Sequence, residues 1–211
     1  MENPRSSLTE PQLDWARRLQ AIAQNGLHFS KDPYDRDRFE QVLRIAAEML
    51  APAENVPALV GELALETGYA TPKVDTRAVV VRDEKVLLVR EAVDGLWTLP
   101  GGWADPGERP SENCVREVRE EAGFEVRVAR LLAVYDREIR GPEPRNFFHA
   151  YKLFVHCEIV GGELRPSEET PEVAFFDPAN LPPLSLGRVN AREIHRCLEL
   201  IRNPTVAADF D

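Results

Sequence analysis

Residues 100–124 read PGGWADPGERPSENCVREVREEAGF and form the most informative stretch of this 211-residue chain. Ser111 is typical of a helix N-cap and Gly123 of the position after a helix C-terminus, so the stretch predicts a helix of about three turns. Four of the glutamates in or just before this helix carry the argument: Glu108, Glu117, Glu120 and Glu121. Because like charges at neighbouring helical positions are destabilising, we expect a positive charge among them.

Three of these acids leave one face of the predicted helix. At 3.6 residues per turn, Glu117, Glu120 and Glu121 stand at positions i, i+3 and i+4, and the opposite face is apolar enough to pack on a sheet. Carboxylates in this number suit Mg²⁺ or Mn²⁺, which leave positions open for water and phosphate oxygens. Gly101 allows a tight bend that brings a backbone carbonyl toward the same cleft. The alternative is a solvated helix face, the usual role of a charge run.

The overall charge constrains the partners. The formal net charge is −10 at pH 7, which makes nucleic acid an unlikely main partner, because its backbone requires a basic surface. An anionic substrate must then bring a cation with it. We expect no membrane partner and a cytoplasmic location, since the chain has no apolar run of about 18 residues and no signal-peptide pattern. The three widely spaced cysteines favour reduced structural thiols.

The hydrophobic period changes once along the chain. Residues 9–66 show helical spacing, with one helix ending at Gly26 and another starting at Asp32. After Lys73 the spacing becomes strand-like. The expected elements there are a hairpin over 76–91, strands at 124–138, 147–160 and 173–176, a Gly161–Gly162 turn and a helix over 190–202. We therefore predict a helical domain over 1–68 and a second domain over 69–211, with an α+β or α/β fold rather than a bundle.

The glutamates fall in a longer pattern that begins at Gly102. The sequence fits G-x5-E-x7-R-E-U-x-E-E-x-G-U, where U is a bulky apolar residue. Its fixed positions are Gly102, Glu108, Arg116, Glu117, Val118, Glu120, Glu121, Gly123 and Phe124. The pattern resembles the Nudix box, and the chain resembles the Nudix hydrolases, which cleave nucleoside diphosphates linked to another moiety. Residues 15–41 are similar to the extra helical domain of a bacterial subgroup associated with ADP-ribose or CDP-choline hydrolysis, so the resemblance covers nearly the whole chain.

The resemblance implies an α+β fold, in which a Nudix-type mixed β-sheet lies between helices and follows a small all-α N-terminal domain. That domain would support dimerisation or the substrate site, and the implied oligomer is a homodimer. The implied cofactor is Mg²⁺, with Mn²⁺ as an alternative. Its ligands would be Glu117 and Glu121, with Glu120 for a second ion and the Gly101 carbonyl as a further ligand.

Other roles follow from the same resemblance and from position. The general base of the family often lies on a loop outside the box, which makes Glu169 and Glu172 the candidates. The catalytic group is then Arg116, Glu120, Glu169 and Glu172, with Arg116 expected to hold a glutamate in place. The substrate-binding group is Trp103, Glu108, Arg137 and Arg145. Trp103 is expected to be exposed, and the two arginines flank the longest predicted loop, where selectivity could reside.

These residues predict a metal-dependent hydrolase that splits a nucleoside diphosphate linked to another moiety, X, into a nucleoside monophosphate and phospho-X. ADP-ribose and CDP-choline stay equivalent on the residue pattern. One rival is an enzyme that acts on nucleoside triphosphates or on RNA 5′ ends. Another is a non-catalytic nucleotide-sensing regulator whose N-terminal helices contact DNA. Residues 1–73 carry 8 Lys and Arg against 11 Asp and Glu, a poor balance for binding DNA.

Overall fold

The computed structural model describes residues 10–137 and 148–211. The chain divides between Pro72 and Lys73 into two compact units, four residues beyond the boundary expected from the sequence. Within the described residues, no helix combines the length and the apolar character that spanning a membrane requires.

The N-terminal unit is helical. It contains α1 (Glu10–Phe29), α2 (Pro33–Leu50), a short 3-10 helix (Ala53–Asn55) and α3 (Val56–Ala64). The Asp32 carboxylate caps α2 by accepting hydrogen bonds from the backbone N–H groups of Tyr34 and Asp35, as the sequence predicts.

The predicted end of α1 at Gly26 is wrong, because the helix continues to Phe29. A Cβ atom on Gly26 would lie 2.3 Å from the ring of Phe39. The glycine therefore lets α1 and α2 approach closely, and it does not terminate the helix.

The second unit is built on a mixed sheet. Its strands are β1 (Lys73–Arg82), β2 (Lys85–Arg90), β3 (Trp97–Thr98), β4 (Phe124–Asp136), β5 (Ala150–Gly162), β6 (Glu172–Phe176) and β7 (Asp209–Phe210). Within the described residues they form a seven-stranded sheet in the order β3-β2-β1-β5-β4-β7, and β6 also pairs with β2. The β1–β5 and β4–β7 pairs are parallel and the others are antiparallel.

Two helices cover the two faces of this sheet. Alternate residues of β1 point to opposite sides, so that Ala78 and Val80 pack with α4 (Pro110–Ala122), whereas Val79 packs with α5 (Ala191–Arg202). This is the arrangement expected when a sheet is buried on both faces. The α+β prediction is confirmed. The three cysteines are buried free thiols, as expected.

The predicted turn at Gly161–Gly162 is wrong. Gly161 and Gly162 do not form a turn, because they belong to β5 and pair with Glu125 and Phe124 of β4. The predicted hairpin turn is present at Asp83–Glu84, where both residues have positive φ angles. Such angles are typical of a tight two-residue hairpin connection.

Candidate active site

A glycine turn forms one wall of the site. After β3, residues 100–104 run antiparallel to β1. Thr76 N–H donates to the Gly102 carbonyl at 2.9 Å, and Ala78 N–H donates to the Pro100 carbonyl at 2.8 Å. Between them, Gly101 has φ +137°, and a Cβ atom there would lie 2.0 Å from the Thr76 carbonyl oxygen. This turn therefore requires glycine.

Helix α4 forms the opposite wall. It ends at Gly123, whose φ of +79° gives the left-handed cap that the sequence predicts. The prediction that Ser111 caps its start is wrong: the helix begins at Pro110, and the backbone N–H of Arg109 donates to the Glu112 carboxylate at 2.9 Å. Proline suits the first helical position, since its missing N–H would have no partner within the helix.

Two carboxylates of α4 meet the glycine turn. Glu121 is 8% exposed, and its Oε2 accepts a hydrogen bond of 2.9 Å from the Gly101 N–H. Glu117 reaches Gly102, where a Cβ atom would lie 3.4 Å from its Oε1. Burial raises the pKa of Glu121 to about 8, against the opposing effect of the Gly101 hydrogen bond. Burial also raises the pKa of Glu117. A nearby cation would therefore favour the ionised form of both groups, and Glu121 needs one to be fully ionised at neutral pH.

Arg116 is the positive charge among the glutamates. Its guanidinium donates twice to Glu108, from Nε to Oε1 at 2.9 Å and from Nη2 to Oε2 at 3.0 Å. Nη1 lies 3.0 Å from Oε1 of Glu117 and 3.1 Å from Oε2 of Glu120. Hydrogen bonds from Arg116 and then from Asn113 lower the pKa of Glu108. One arginine therefore contacts three of the four acids.

The acidic side chains are not arranged as a preformed metal site. Among the side chains described, over 10–137 and 148–211, no group of three or more His, Cys, Asp or Glu is arranged to hold a metal. Arg116 holds Glu117 and Glu120, while Glu121 faces the Gly101 amide. The donors nevertheless fit a divalent ion: they are carboxylate oxygens, and burial raises the pKa values of two of the groups, Glu117 and Glu121.

Comparisons with known proteins identify the family. A model described as "NUDIX domain" matches residues 71–197, and one described as "UDP-X-like, N-terminal oligomerisation domain" matches residues 10–60. The chain belongs to the Nudix family. These matches confirm the predicted family, its subgroup with a helical N-terminal region, and the prediction that the chain is a Nudix hydrolase.

Three Nudix relatives are similar over much of the chain. The Bacillus subtilis (strain 168) protein named "Putative ADP-ribose pyrophosphatase YjhB" is 40% identical over 201 residues, or 94% of this chain and 96% of that one. A crystal structure of an ADP-ribose pyrophosphatase from Streptococcus suis 89-1591 is 42% identical, with a TM-score of 0.61, and covers 67% of this chain and 100% of that chain. A crystal structure of a UDP-X diphosphatase is 32% identical, with a TM-score of 0.62, and covers 95% of this chain and 98% of that chain.

Glu169 and Glu172, the two candidates for the general base, differ in their contacts. The Glu172 carboxylate, in β6, pairs with the guanidinium of Arg90 in β2. The Glu169 side chain is exposed, and its backbone carbonyl accepts a hydrogen bond from Ala92. Between them, Thr170 Oγ1 donates to the Glu121 carbonyl at 2.7 Å. The segment that carries the two candidates therefore contacts the C-terminal end of α4.

The predicted substrate residues are scattered. Trp103 is 46% exposed, as expected, and its role in binding the substrate stays a prediction. Glu108 lies within the cluster, held by Arg116. The Arg137 guanidinium donates to the Gly187 carbonyl, from Nε at 3.1 Å. Arg145 lies outside the described residues.

Sequence reasoning missed two contributors to the Nudix site. Asn113 of α4 donates to Glu108 at 3.0 Å and to the Trp103 carbonyl at 3.3 Å, and it accepts from Thr76. Arg77 of β1 is buried beside the glycine turn. A polar side chain inside a helix and a charge inside an apolar strand were the available signals, because such groups are buried only with partners.

Proposed function

We propose that this Nudix hydrolase cleaves the diphosphate of a nucleoside diphosphate linked to X, with ADP-ribose as its substrate, giving AMP and ribose 5-phosphate. The observation that carries the proposal is the meeting of Glu117 and Glu121 with the Gly101–Gly102 turn. Two relatives with at least 40% identity bear ADP-ribose pyrophosphatase names, which supports ADP-ribose over CDP-choline.

The proposed cofactor is Mg²⁺, with Mn²⁺ as an alternative. Glu117 and Glu121 would hold it, with the Gly101 carbonyl as a further ligand and Glu120 as a ligand for a second ion. When bound, such an ion neutralises charge on a diphosphate and lowers the pKa of a bound water. To release Glu117 and Glu120, Arg116 has to give up two single contacts, whereas its paired contact with Glu108 can persist.

We place Glu169 ahead of Glu172 as the general base. The Glu172 carboxylate is already paired with Arg90, whereas the Glu169 side chain is exposed and contacts no charged group among the described residues. A general base must come within hydrogen-bond reach of the attacking water, and a carboxylate without an ion-pair partner is freer to do so. Glu169→Gln should lower kcat by about 100-fold or more, and Glu172→Gln should change it less. The reverse order would move the assignment to Glu172.

Product analysis tests the proposed reaction. ADP-ribose, CDP-choline, UDP-sugars and nucleoside triphosphates would each be incubated with the protein and Mg²⁺ in ¹⁸O-labelled water, followed by phosphorus NMR. We expect two phosphomonoester products from ADP-ribose and none when EDTA is present. Release of inorganic pyrophosphate from triphosphates, with ADP-ribose intact, would contradict the proposal.

A matched pair of variants checks the role of the cluster in this reaction. Glu120→Gln should lower kcat by several orders of magnitude, since it removes a proposed metal ligand. Glu163→Gln makes the same change at an exposed residue just after β5 and should leave kcat unchanged. Binding of ADP-ribose without turnover in the unaltered protein would favour a nucleotide-sensing regulator instead.

UDP-linked conjugates are the second candidate substrates. The N-terminal family model is described as UDP-X-like, and the UDP-X diphosphatase structure matches 95% of this chain. The UDP-sugar arm of the panel separates the two candidates: a kcat/KM for a UDP-sugar above that for ADP-ribose would select the second.

We also propose a homodimer formed through α1. Trp15, Ile22 and Phe29 follow each other at intervals of seven residues and are 52%, 54% and 64% exposed, so they form an apolar stripe on one side of the helix. The match of residues 10–60 to an oligomerisation domain supports this assignment.

Sedimentation can test the dimer. Trp15→Glu combined with Ile22→Glu should shift the protein toward monomer. Leu65→Glu introduces the same kind of charge at an 81% exposed apolar residue outside α1, and this single variant should sediment like the unaltered protein. Identical sedimentation of all three proteins would refute an interface on this stripe.

A further inference from the structure

Arg77 of β1 lies directly opposite Gly101. The neighbouring residues Thr76 and Ala78 bond the carbonyls of Gly102 and Pro100, which leaves Arg77 across from Gly101 in this antiparallel pairing. A Cβ atom on Gly101 would lie 3.0 Å from the Arg77 Cα. The backbone of Arg77 is therefore part of the surface against which the Gly101 turn is formed.

The side chain of Arg77 binds the segment that leads into the same turn. Its Nη1 donates to the Leu99 carbonyl at 3.2 Å, and its fork contacts Asp75 through Nε at 2.9 Å and Nη2 at 3.3 Å. The residue is only 5% exposed, as is Asp75. A buried guanidinium is stable only when its donors have partners, so the Asp75 carboxylate and the Leu99 carbonyl fix where this group sits.

Arg77 is linked through the Leu99–Gly101 segment to Glu121, a proposed metal ligand. Leu99 lies two residues before Gly101, whose N–H donates to Glu121 at 2.9 Å. The guanidinium also experiences the negative charges of Asp75, Glu121 and Glu91. A path of short contacts therefore runs from Asp75 through Arg77 and the Leu99–Gly101 segment to Glu121.

We propose that Arg77 is a positioning residue for the hydrolase site: it binds the Leu99 carbonyl and so holds the Gly101 peptide in register with the Glu121 carboxylate. The inference rests on the proposed function, because that alignment matters for holding the metal. Lysine cannot replace arginine in this role, since a single ammonium lacks the planar fork that reaches Asp75 and Leu99 at the same time.

The test compares Arg77→Lys with Arg196→Lys. Arg196 makes a similar forked contact with Asp209, at 2.7 and 2.9 Å, but from α5, so it controls for the loss of an arginine fork elsewhere. Arg77→Lys should weaken Mn²⁺ binding, measured by calorimetry without substrate, by about 10- to 100-fold. It should also lower kcat by a similar factor with little change in KM. Arg196→Lys should alter neither.

Hydrogen exchange adds a readout that does not depend on catalysis. The Gly101 amide should exchange faster in Arg77→Lys than in Arg196→Lys, because its bond to Glu121 becomes less persistent. Equal exchange, Mn²⁺ affinity and turnover in the two variants would overturn the proposal. If Arg77→Lys does not fold, Asp75→Asn keeps the guanidinium but removes its forked partner, and the same measurements apply.

The experiment separates this inference from the proposed function. If the unaltered protein hydrolyses no diphosphate conjugate, the proposed function fails, yet Mn²⁺ affinity and Gly101 exchange still decide whether Arg77 positions the turn. If hydrolysis is observed and Arg77→Lys behaves like the control, only the positioning role fails.

Discussion

Replacing Glu121 with glutamine should stabilise the metal-free protein, and the gain should be larger at pH 8 than at pH 5. The carboxylate is 8% exposed, and burial raises its pKa from 4.5 to about 8. In the unfolded chain the group loses its proton near pH 4.5, whereas in the folded protein it keeps the proton until about pH 8. Ionisation therefore favours the unfolded chain, and stability falls as the pH rises through this window.

The size of the effect follows from the two pKa values. One pKa unit corresponds to about 1.4 kcal/mol, so the loss between pH 5 and pH 8 is at most about 4 kcal/mol. The amide of glutamine is uncharged at every pH, and its oxygen can still accept the Gly101 hydrogen bond. The difference between the two proteins should therefore grow from under about 1 kcal/mol at pH 5 toward that limit at pH 8. Glu117 remains in both proteins, so the effect of its own burial is common to both.

Urea unfolding in EDTA at pH 5, 6, 7 and 8 measures this difference. Glu163→Gln serves as the control, because it removes an exposed carboxylate of the same unit. Adding Mg²⁺ at pH 8 should stabilise the unaltered protein more than Glu121→Gln, since a ligand that binds only the folded state raises its stability. Parallel stability curves for the unaltered protein and Glu121→Gln in EDTA would refute the claim that burial of this carboxylate is costly.

Two further predictions concern the glycine turn and a buried ion pair of the same unit. Gly101→Ala should destabilise the protein by more than about 3 kcal/mol, because its Cβ atom would lie 2.0 Å from the Thr76 carbonyl oxygen. Gly107→Ala, also at positive φ but with no atom within 4 Å of the added Cβ, should cost only about 1 to 2 kcal/mol, as compared by urea unfolding. Lys152→Met should cost about 3 to 5 kcal/mol, because Lys152 Nζ lies 3.7 Å from the buried Glu193 carboxylate. Adding Glu193→Gln should recover part of that loss, and an additive double variant would contradict the coupling.

Local spacing was enough to predict the main features of the cluster. Positions i, i+3 and i+4 place Glu117, Glu120 and Glu121 on one side of α4 whatever the rest of the chain does. The need for a positive charge followed from the repulsion among these acids, and Arg116 supplies it in the structure. Both inferences depend only on helix geometry and on charge.

The missing residues depend on the pairing of distant segments. Arg77 joins the site because residues 100–104 pair with β1 in one particular register. Asn113 joins it because α4 lies across Thr76. Neither arrangement follows from the local pattern, since a shift of β1 by one residue in register would turn both Arg77 and Thr76, the partner of Asn113, to the other face of the sheet.

The errors at glycines have a common physical origin. A glycine can serve a turn, a positive φ angle or the close approach of two segments, and the sequence alone does not distinguish these roles. At Gly26 the reason is the ring of Phe39, and at Gly162 it is a positive φ of +77° together with the Gly123 carbonyl oxygen, which would lie 2.5 Å from an added Cβ atom. At Gly101 the predicted bend is present, and there both the φ angle and the contact with Thr76 require glycine.

Arg116 reduces the repulsion among the clustered acids. Its paired contact with Glu108 fixes the guanidinium, which leaves Nη1 to neutralise Glu117 and Glu120 through single contacts. Those two contacts are the easiest to exchange, because a forked pair is stronger than a single contact. Glu121 is not among the acids that pair with Arg116, and its carboxylate instead accepts a hydrogen bond from the Gly101 amide. Ionisation of Glu121 is thus the least compensated of the four in the metal-free protein, since burial raises its pKa to about 8, and the stability of Glu121→Gln in EDTA is therefore the most direct test of a metal site here.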